Sequence, residues 1–295
     1  MRTMALLPLP VSQWIGGRFG DLIRLFDTRA AKITRANLEL CLPELEPDER
    51  ARLARDSLRQ TGMMLMETPA AWLGRKQRLL GWIREVENFD EVDTAITCGG
   101  GVIIVLPHIG NWEMMNVFLG EHERQKDFVG LYAPPNQDWL KKLVSVARLR
   151  FGNEIVPTTI KGIATLLKRL KEGKLIVLLP DQVPTSGEFA PFFGTDTLTD
   201  IIAVRMLERC PSARVFTCTV ERLPDAQGFR IRFAAAHPDL YSTDRRTALA
   251  GLNASVEACV RRLPAQYQWE YKRFKRGPPG QRRIYDFASD GPTYH

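Results

Sequence analysis

The chain has 295 residues, of which 44% are hydrophobic and 25% charged. That balance excludes a disordered or fibrous protein and leaves ample sequence to bury a core. Lys and Arg number 41 against 34 Asp and Glu, a net charge of +7, so part of the surface is expected to face polyanions: nucleic acid, anionic lipid, or an acidic or phosphorylated partner. Five scattered cysteines with no Cys-x-x-Cys pair point away from a disulfide framework or zinc knuckle and toward a reducing compartment.

Residues 1–29 open with a short apolar run that Pro8 and Pro10 interrupt, and no small-residue cleavage site follows. It reads neither as a signal peptide nor as a membrane span. Val11, Trp14, Ile15, Phe19, Leu22, Ile23 and Phe26 then recur at helical spacing, with Arg18, Arg24 and Arg29 off the stripe or at its border. This predicts an amphipathic helix whose apolar side fits either the protein's own core or a membrane surface. A second helix is expected over 46–67, with Pro47, Asp48 and Glu49 in its first turn and Leu53, Leu58, Leu65 and Met66 available for burial.

Apolar, β-branched runs at 102–106, 128–132, 175–179 and 215–220 alternate with helical patterns at 139–149 and 160–170. Strands buried on both faces read this way, which predicts an α/β sandwich around a largely parallel sheet. Residues 215–220 and 229–233 read as a hairpin, so the sheet should be mixed, and a further helix is expected over 245–262. No internal linker or repeat divides the chain. One globular unit is expected, with a membrane-associating helical segment over 1–70 packed on an α/β body over 71–295.

The segment 99–116 carries the clearest chemical signal. A buried strand ends at Pro107, His108 and Gly110 form a tight turn, and Asn111 is placed to cap a helix that starts at Trp112. On one continuous helix His108 and Glu113 would project about 140° apart; across a strand-to-helix turn they can meet. A carboxylate on one imidazole nitrogen fixes the tautomer and leaves the other free to take a proton from a hydroxyl. The same pair also fits a purely structural role, an acid complementing a helix dipole and a histidine bonded in a loop. His108 is nonetheless the histidine that follows a buried strand, at the edge where open α/β sheets build their sites.

Residues 174–200 repeat the geometry: a buried strand ends at Leu179, and Asp181 and Gln182 emerge from its carboxyl end, on the rim of His108 if the strands are parallel. Phe189, Phe192, Phe193 and Gly194 follow, as an apolar plug or as an aromatic loop suited to a long apolar substrate. Asp181 equally fits an ordinary turn ahead of Pro184.

"HIGNWE", "LPDQ", "GEFAPFFGT" and "LPAQYQWEYKRFK", in this order, resemble the lipid A biosynthesis acyltransferases, of the lauroyl and myristoyl transferase type, within the glycerolipid acyltransferase superfamily. The likeness runs from about Ile33 to Tyr285. It implies an αβα acyltransferase domain and transfer of a fatty acyl group from acyl carrier protein to a hydroxyl of a lipid A precursor. The resemblance further implies work at the cytoplasmic face of the inner membrane of Gram-negative bacteria, against an anionic membrane surface and without metal or organic cofactor. Carried onto this sequence, the His-x-x-x-x-Asp/Glu motif makes His108 the base and Glu113 the residue that orients it. Asp181, Gln182, Phe192, Phe193 and Gly194 would shape the acceptor side, and Asn111 would contact substrate. Many members carry an arginine after the middle strand's tyrosine, where Ala133 follows Tyr132 here, and many have a full membrane-spanning N-terminal helix, where the short amphipathic stretch favours peripheral attachment. A thioester has a good leaving group, so no acyl-enzyme is required, in keeping with the lack of a Gly-x-Ser-x-Gly elbow. Backbone N–H groups around Gly110 and Asn111 are candidate oxyanion donors by position.

From Arg261 to Arg283 eight Lys and Arg side chains surround a single acid, Glu270. This stretch fits attraction to anionic lipid, a phosphorylated glycolipid or acyl carrier protein, or simply a solvated face. Trp269, Tyr271 and Phe274 interleave it as in a single-strand nucleic-acid platform, but no oligonucleotide-binding pattern accompanies them and no nucleic-acid partner is expected. Two rivals remain beside other glycolipid or lysophospholipid acceptors. One is a hydrolase with Cys98 or a serine as nucleophile, disfavoured because the length of a strand separates Cys98 from His108; the other is a non-catalytic binding module driven by the basic surface.

Overall fold

The computed structural model describes residues 1–121, 128–132, 147, 150–281 and 284–285. Its elements are α1 (Leu9–Leu25), α2 (Arg29–Cys41), α3 (Pro47–Leu73), α4 (Lys76–Leu80), β1 (Ile83–Glu87), α5 (Phe89–Thr97), β2 (Val102–Val105), α6 (Glu113–Leu119) and β3 (Val129–Tyr132). They continue with β4 (Glu154–Pro157), α7 (Ile160–Lys171), β5 (Leu175–Leu178), β6 (Glu188–Phe192), β7 (Thr195–Thr199), α8 (Ile202–Arg209), β8 (Arg214–Arg222), β9 (Phe229–Ala235) and α9 (Arg245–Arg262). The helix expected at 139–149 and the residue after Tyr132 fall largely or wholly outside the described residues.

Every residue of β2 and β5 is buried, and the two faces serve different cores. Ile103, Val105, Ile176 and Leu178 pack with α2, α7, α8 and α9, whereas Val102, Ile104, Leu175 and Val177 pack with α6 and the end of α3. Alternation through the pleat sends successive side chains to opposite layers, which is why these strands are continuous apolar runs. The sheet order is β1-β9-β8-β2-β5-β3-β4. β8, β2, β5, β3 and β4 run parallel, and β9 returns antiparallel to β8. The mixed αβα sandwich follows from these pairings. Residues 188–199, expected as a loop, form a separate antiparallel hairpin of β6 and β7. Phe193 and Gly194 both have positive φ at its two-residue turn, the conformation that a two-residue hairpin of this twist needs.

The N-terminal stripe does not enter the core. α1 presents Gly16 and Gly20 to α3, and a Cβ at Gly16 would lie 2.5 Å from the carbonyl oxygen of Gly62. The two backbones meet because these positions carry no side chain. Val11, Trp14, Phe19, Leu22 and Phe26 consequently point outward, Trp14 64% and Phe26 73% exposed. No helix among the described residues is long and apolar enough to cross a membrane.

α3 also carries Glu67, fully buried. Arg222, at the end of β8, grips both of its oxygens from Nε and Nη2 at 2.7 and 2.6 Å. Gln13 of α1 and Asn111, just ahead of α6, donate to the same carboxylate at 2.8 and 3.0 Å. One anion thereby joins two N-terminal helices to the sheet and to the turn that follows β2. Glu67→Ala strands a buried guanidinium and is expected to lower the unfolding free energy by about 3–5 kcal/mol, read as a lower urea midpoint at unchanged slope; a loss below about 1 kcal/mol would show that this cluster does not anchor the fold.

Candidate active site

Because β2 and β5 pair in parallel register, the residues after them leave on the same rim. His108 follows β2 and Asp181 follows β5, and they meet. Asp181 Oδ1 lies 2.8 Å from His108 Nδ1, while Oδ2 accepts the His108 backbone N–H at 2.9 Å. Both carboxylate oxygens hold one residue, so ring and backbone are fixed together. Burial works against the charged form of Asp181, but the His108 imidazole beside it and the hydrogen bonds from ring and backbone outweigh it, holding the pKa below the ordinary 3.8. With Nδ1 engaged, Nε2 is the nitrogen left for proton transfer.

The carboxylate that meets the ring at Nδ1 is therefore Asp181, expected on the acceptor side, and not the Glu113 expected from the spacing. The reason is topological: two parallel strand ends bring these residues together from 73 positions apart. Glu113 sits buried in the first turn of α6 and borders an apolar cavity with Leu106, Met115, Val177 and Leu179. Trp112 lines this cavity and also the one that holds His108. Its ring stands edge-on to the imidazole at a centroid distance of 4.7 Å, so the indole separates an apolar space from a mixed one.

The mixed cavity contains His108, Trp112, Thr61, Met64, Gln268 and Glu270. Its walls come from α3 and from the chain after α9, where Gln268 N donates to the carbonyl of His108 at 3.1 Å. Gln182, expected on the acceptor side, donates to Gln268 Oε1 at 2.9 Å, one step behind this wall. Sequence reasoning passed over Glu67, Trp112, Gln268 and Arg222. Glu67 did carry a signal, being the one charged residue between Arg59 and Arg75.

Other expectations change. Asn111 caps no helix; it is fully buried and bonded to Glu67, and α6 has no side-chain cap. Its burial leaves no surface for substrate. Phe192 and Phe193 are also buried, at 1% and 9% exposure, and pack edge-to-face at 4.9 Å. They form the apolar plug rather than a substrate loop, with Gly194 serving their turn. The backbone N–H groups at the expected positions are engaged: Ile109 N bonds Pro107 O, Gly110 N bonds Gln266 O and Asn111 N bonds Val220 O, at 2.7, 2.9 and 3.1 Å. They are not oxyanion donors in this arrangement. Gly110 has φ +63 and a Cβ there would lie 1.8 Å from Val220 O, so no other residue fits where the turn meets β8.

The basic C-terminal stretch is not simply a solvated face. Arg273 is buried over the Phe192 ring and donates to Leu198 O at 2.8 Å, and Trp269 and Phe274 are core residues. Rings so placed offer no stacking platform for bases. Arg282 and Arg283 lie outside the described residues. Cys98 is exposed before the start of β2, whereas His108 follows its end, which removes it as a nucleophile for this histidine. Among the described residues no group of three or more His, Cys, Asp or Glu is placed to hold a metal ion.

The family model described as bacterial lipid A biosynthesis acyltransferase matches residues 1–276. The chain belongs to this family. It is similar to the lipid A biosynthesis palmitoleoyltransferase of Escherichia coli strain K12, 30% identical over 282 residues that cover 95% of this chain and 90% of that protein. It is equally similar to the lauroyltransferase of the same organism, 30% identical over 276 residues covering 93% and 88%. A lipid A biosynthesis acyltransferase of Haemophilus influenzae is 28% identical over 283 residues covering 94% and 88%. An acyltransferase is what the sequence motifs implied, and the family match supports it.

Asp181 also links the site to stability. Its carboxyl is lowered from 3.8 in the folded protein, so it contributes stability that is present above that value and lost as pH falls through the folded pKa. Denaturant unfolding of native protein and Asp181→Asn between pH 3 and 7 is expected to show the native chain more stable at pH 7, with the gap narrowing below about pH 4. A gap independent of pH would contradict the pairing.

Proposed function

We propose that this acyltransferase adds a fatty acyl chain from acyl carrier protein to a hydroxyl of a lipid A precursor, with His108 as general base and Asp181 as its orienting carboxylate. The observation that carries the reading is the His108–Asp181 pair at the carboxyl rim, bordered by one apolar and one mixed cavity. Nε2 of His108 takes the acceptor's hydroxyl proton as the oxygen attacks the thioester carbonyl; the tetrahedral intermediate collapses, the carbon–sulfur bond breaks, and the proton passes from the imidazolium to the departing thiolate. Asp181 stabilises the imidazolium formed in between. The acyl chain occupies the apolar cavity beyond Trp112, with Glu113 at its border near the reacting carbonyl.

Incubation with acyl carrier protein thioesters and a lipid A precursor is expected to give a product heavier by one acyl chain. His108→Ala should lower turnover by roughly 10²- to 10⁴-fold, the range for a lost general base. Asp181→Asn should approach that loss and exceed the loss in Glu113→Gln; the opposite order would return the orienting role to Glu113. No product with any glycolipid or lysolipid acceptor would refute the reading.

The enzyme attaches peripherally to an anionic membrane, through the outward stripe of α1. Relatives at equal identity carry different acyl chains in their names, and the reading is independent of chain length. Rings and leucines so exposed would enter a lipid interface at about 1.5–3 kcal/mol each. Co-sedimentation with vesicles containing phosphatidylglycerol should fall at least tenfold for Trp14→Ser combined with Leu22→Ser and Phe26→Ser; unchanged binding would place the membrane contact elsewhere.

A further inference from the structure

Glu270 takes part in no step above, yet it shares the cavity of His108. Its carboxyl accepts a hydrogen bond from Thr61 Oγ1 at 3.0 Å, and the Gln268 side chain lines the same cavity. Both of these neighbours are neutral. Gln268 is itself braced by Gln182, so helix α3 and the chain after α9 hold the acid from two sides. Burial raises its pKa above the ordinary 4.5, while its own backbone N–H, Thr61, Gln268 and the His108 charge act in the opposite sense. A carboxyl held by neutral donors keeps lone pairs for further O–H or N–H groups, and its negative charge repels phosphate. The lip of the same cavity is apolar, formed by Met64 and by Leu65, which is 52% exposed.

We propose that Glu270 receives the sugar of the acceptor, accepting a hydrogen bond from a ring hydroxyl or amide and thereby turning one hydroxyl toward His108, with the acceptor's phosphates kept outside this cavity. Glu270 is then a specificity residue. The inference rests on the acyltransferase reading above and adds to it where the acceptor sits. Acyl chains already on the acceptor would leave across Met64 and Leu65.

The test uses the full chain with lauroyl-acyl carrier protein, measuring transfer to a lipid A precursor and, without acceptor, hydrolysis of the thioester. Glu270→Ala is expected to raise the KM for the precursor by roughly ten- to a hundredfold, the loss for one hydrogen bond to a charged group, with the KM for the thioester unmoved. The ratio of transfer to hydrolysis at low precursor should fall by the same factor. Glu270→Gln keeps an accepting oxygen and the side-chain shape, so it should recover part of the precursor KM and guards against a folding defect in the alanine variant. If native protein transfers acyl groups but both variants keep the native precursor KM and the native ratio, the acceptor does not bind Glu270 and the acyltransferase reading stands. If native protein transfers to no acceptor, the reading fails and this inference with it.

Discussion

The carboxylate of Glu67 is the point on which the rest of the molecule converges. Removing an anion from water is costly, and the interior tolerates it here because Arg222 meets both oxygens while Gln13 and Asn111 supply further donors. With Glu67 itself, these partners come from four separate parts of the chain, so satisfying one charge fixes α1, α3, the end of β8 and the turn after β2 relative to each other. Asn111 lies three residues from His108. His108 thus inherits its position from a buried ion pair, and Gly110, pressed against Val220, transmits the same constraint through the backbone.

Around this anchor the site divides by polarity. β2 and β5 deliver His108 and Asp181 to one rim, and the indole of Trp112 stands between an apolar space and a mixed one. On the proposed reading, a hydrocarbon thioester and a sugar hydroxyl would use these two environments on either side of Trp112. α3 borders the mixed cavity with Thr61, Met64 and Leu65 and meets α1 through Gly62. The outward stripe of α1 and the lip of the cavity therefore belong to one packed unit. On the proposed reading this places the reacting centre beside the lipid surface that supplies the acceptor.

The expectations that failed share a cause. Charge and aromatic content in the C-terminal stretch suggested an open basic surface, but Arg273 folds inward because β7 presents a carbonyl and hydroxyls to the guanidinium, and Trp269 folds inward with its indole N–H donating to Pro264 O. The α1 stripe has the spacing of a core helix, yet glycines on its other side let α3 approach more closely than any large side chain would allow.

Local chemistry made much of the body legible without coordinates. Buried strands announce themselves as apolar runs, the α9 span begins after an Asp whose side chain accepts from Thr247 N, and the motif order identified the family. His108 was visible too, since a histidine after a buried strand stands out in one dimension. Edge strands β1 and β4 were not visible, because a half-solvated strand carries charge instead of an apolar run. The partner of His108 was decided by tertiary structure: an imidazole takes whichever carboxylate the sheet brings within 3 Å, and strand order, not spacing along the chain, brought Asp181.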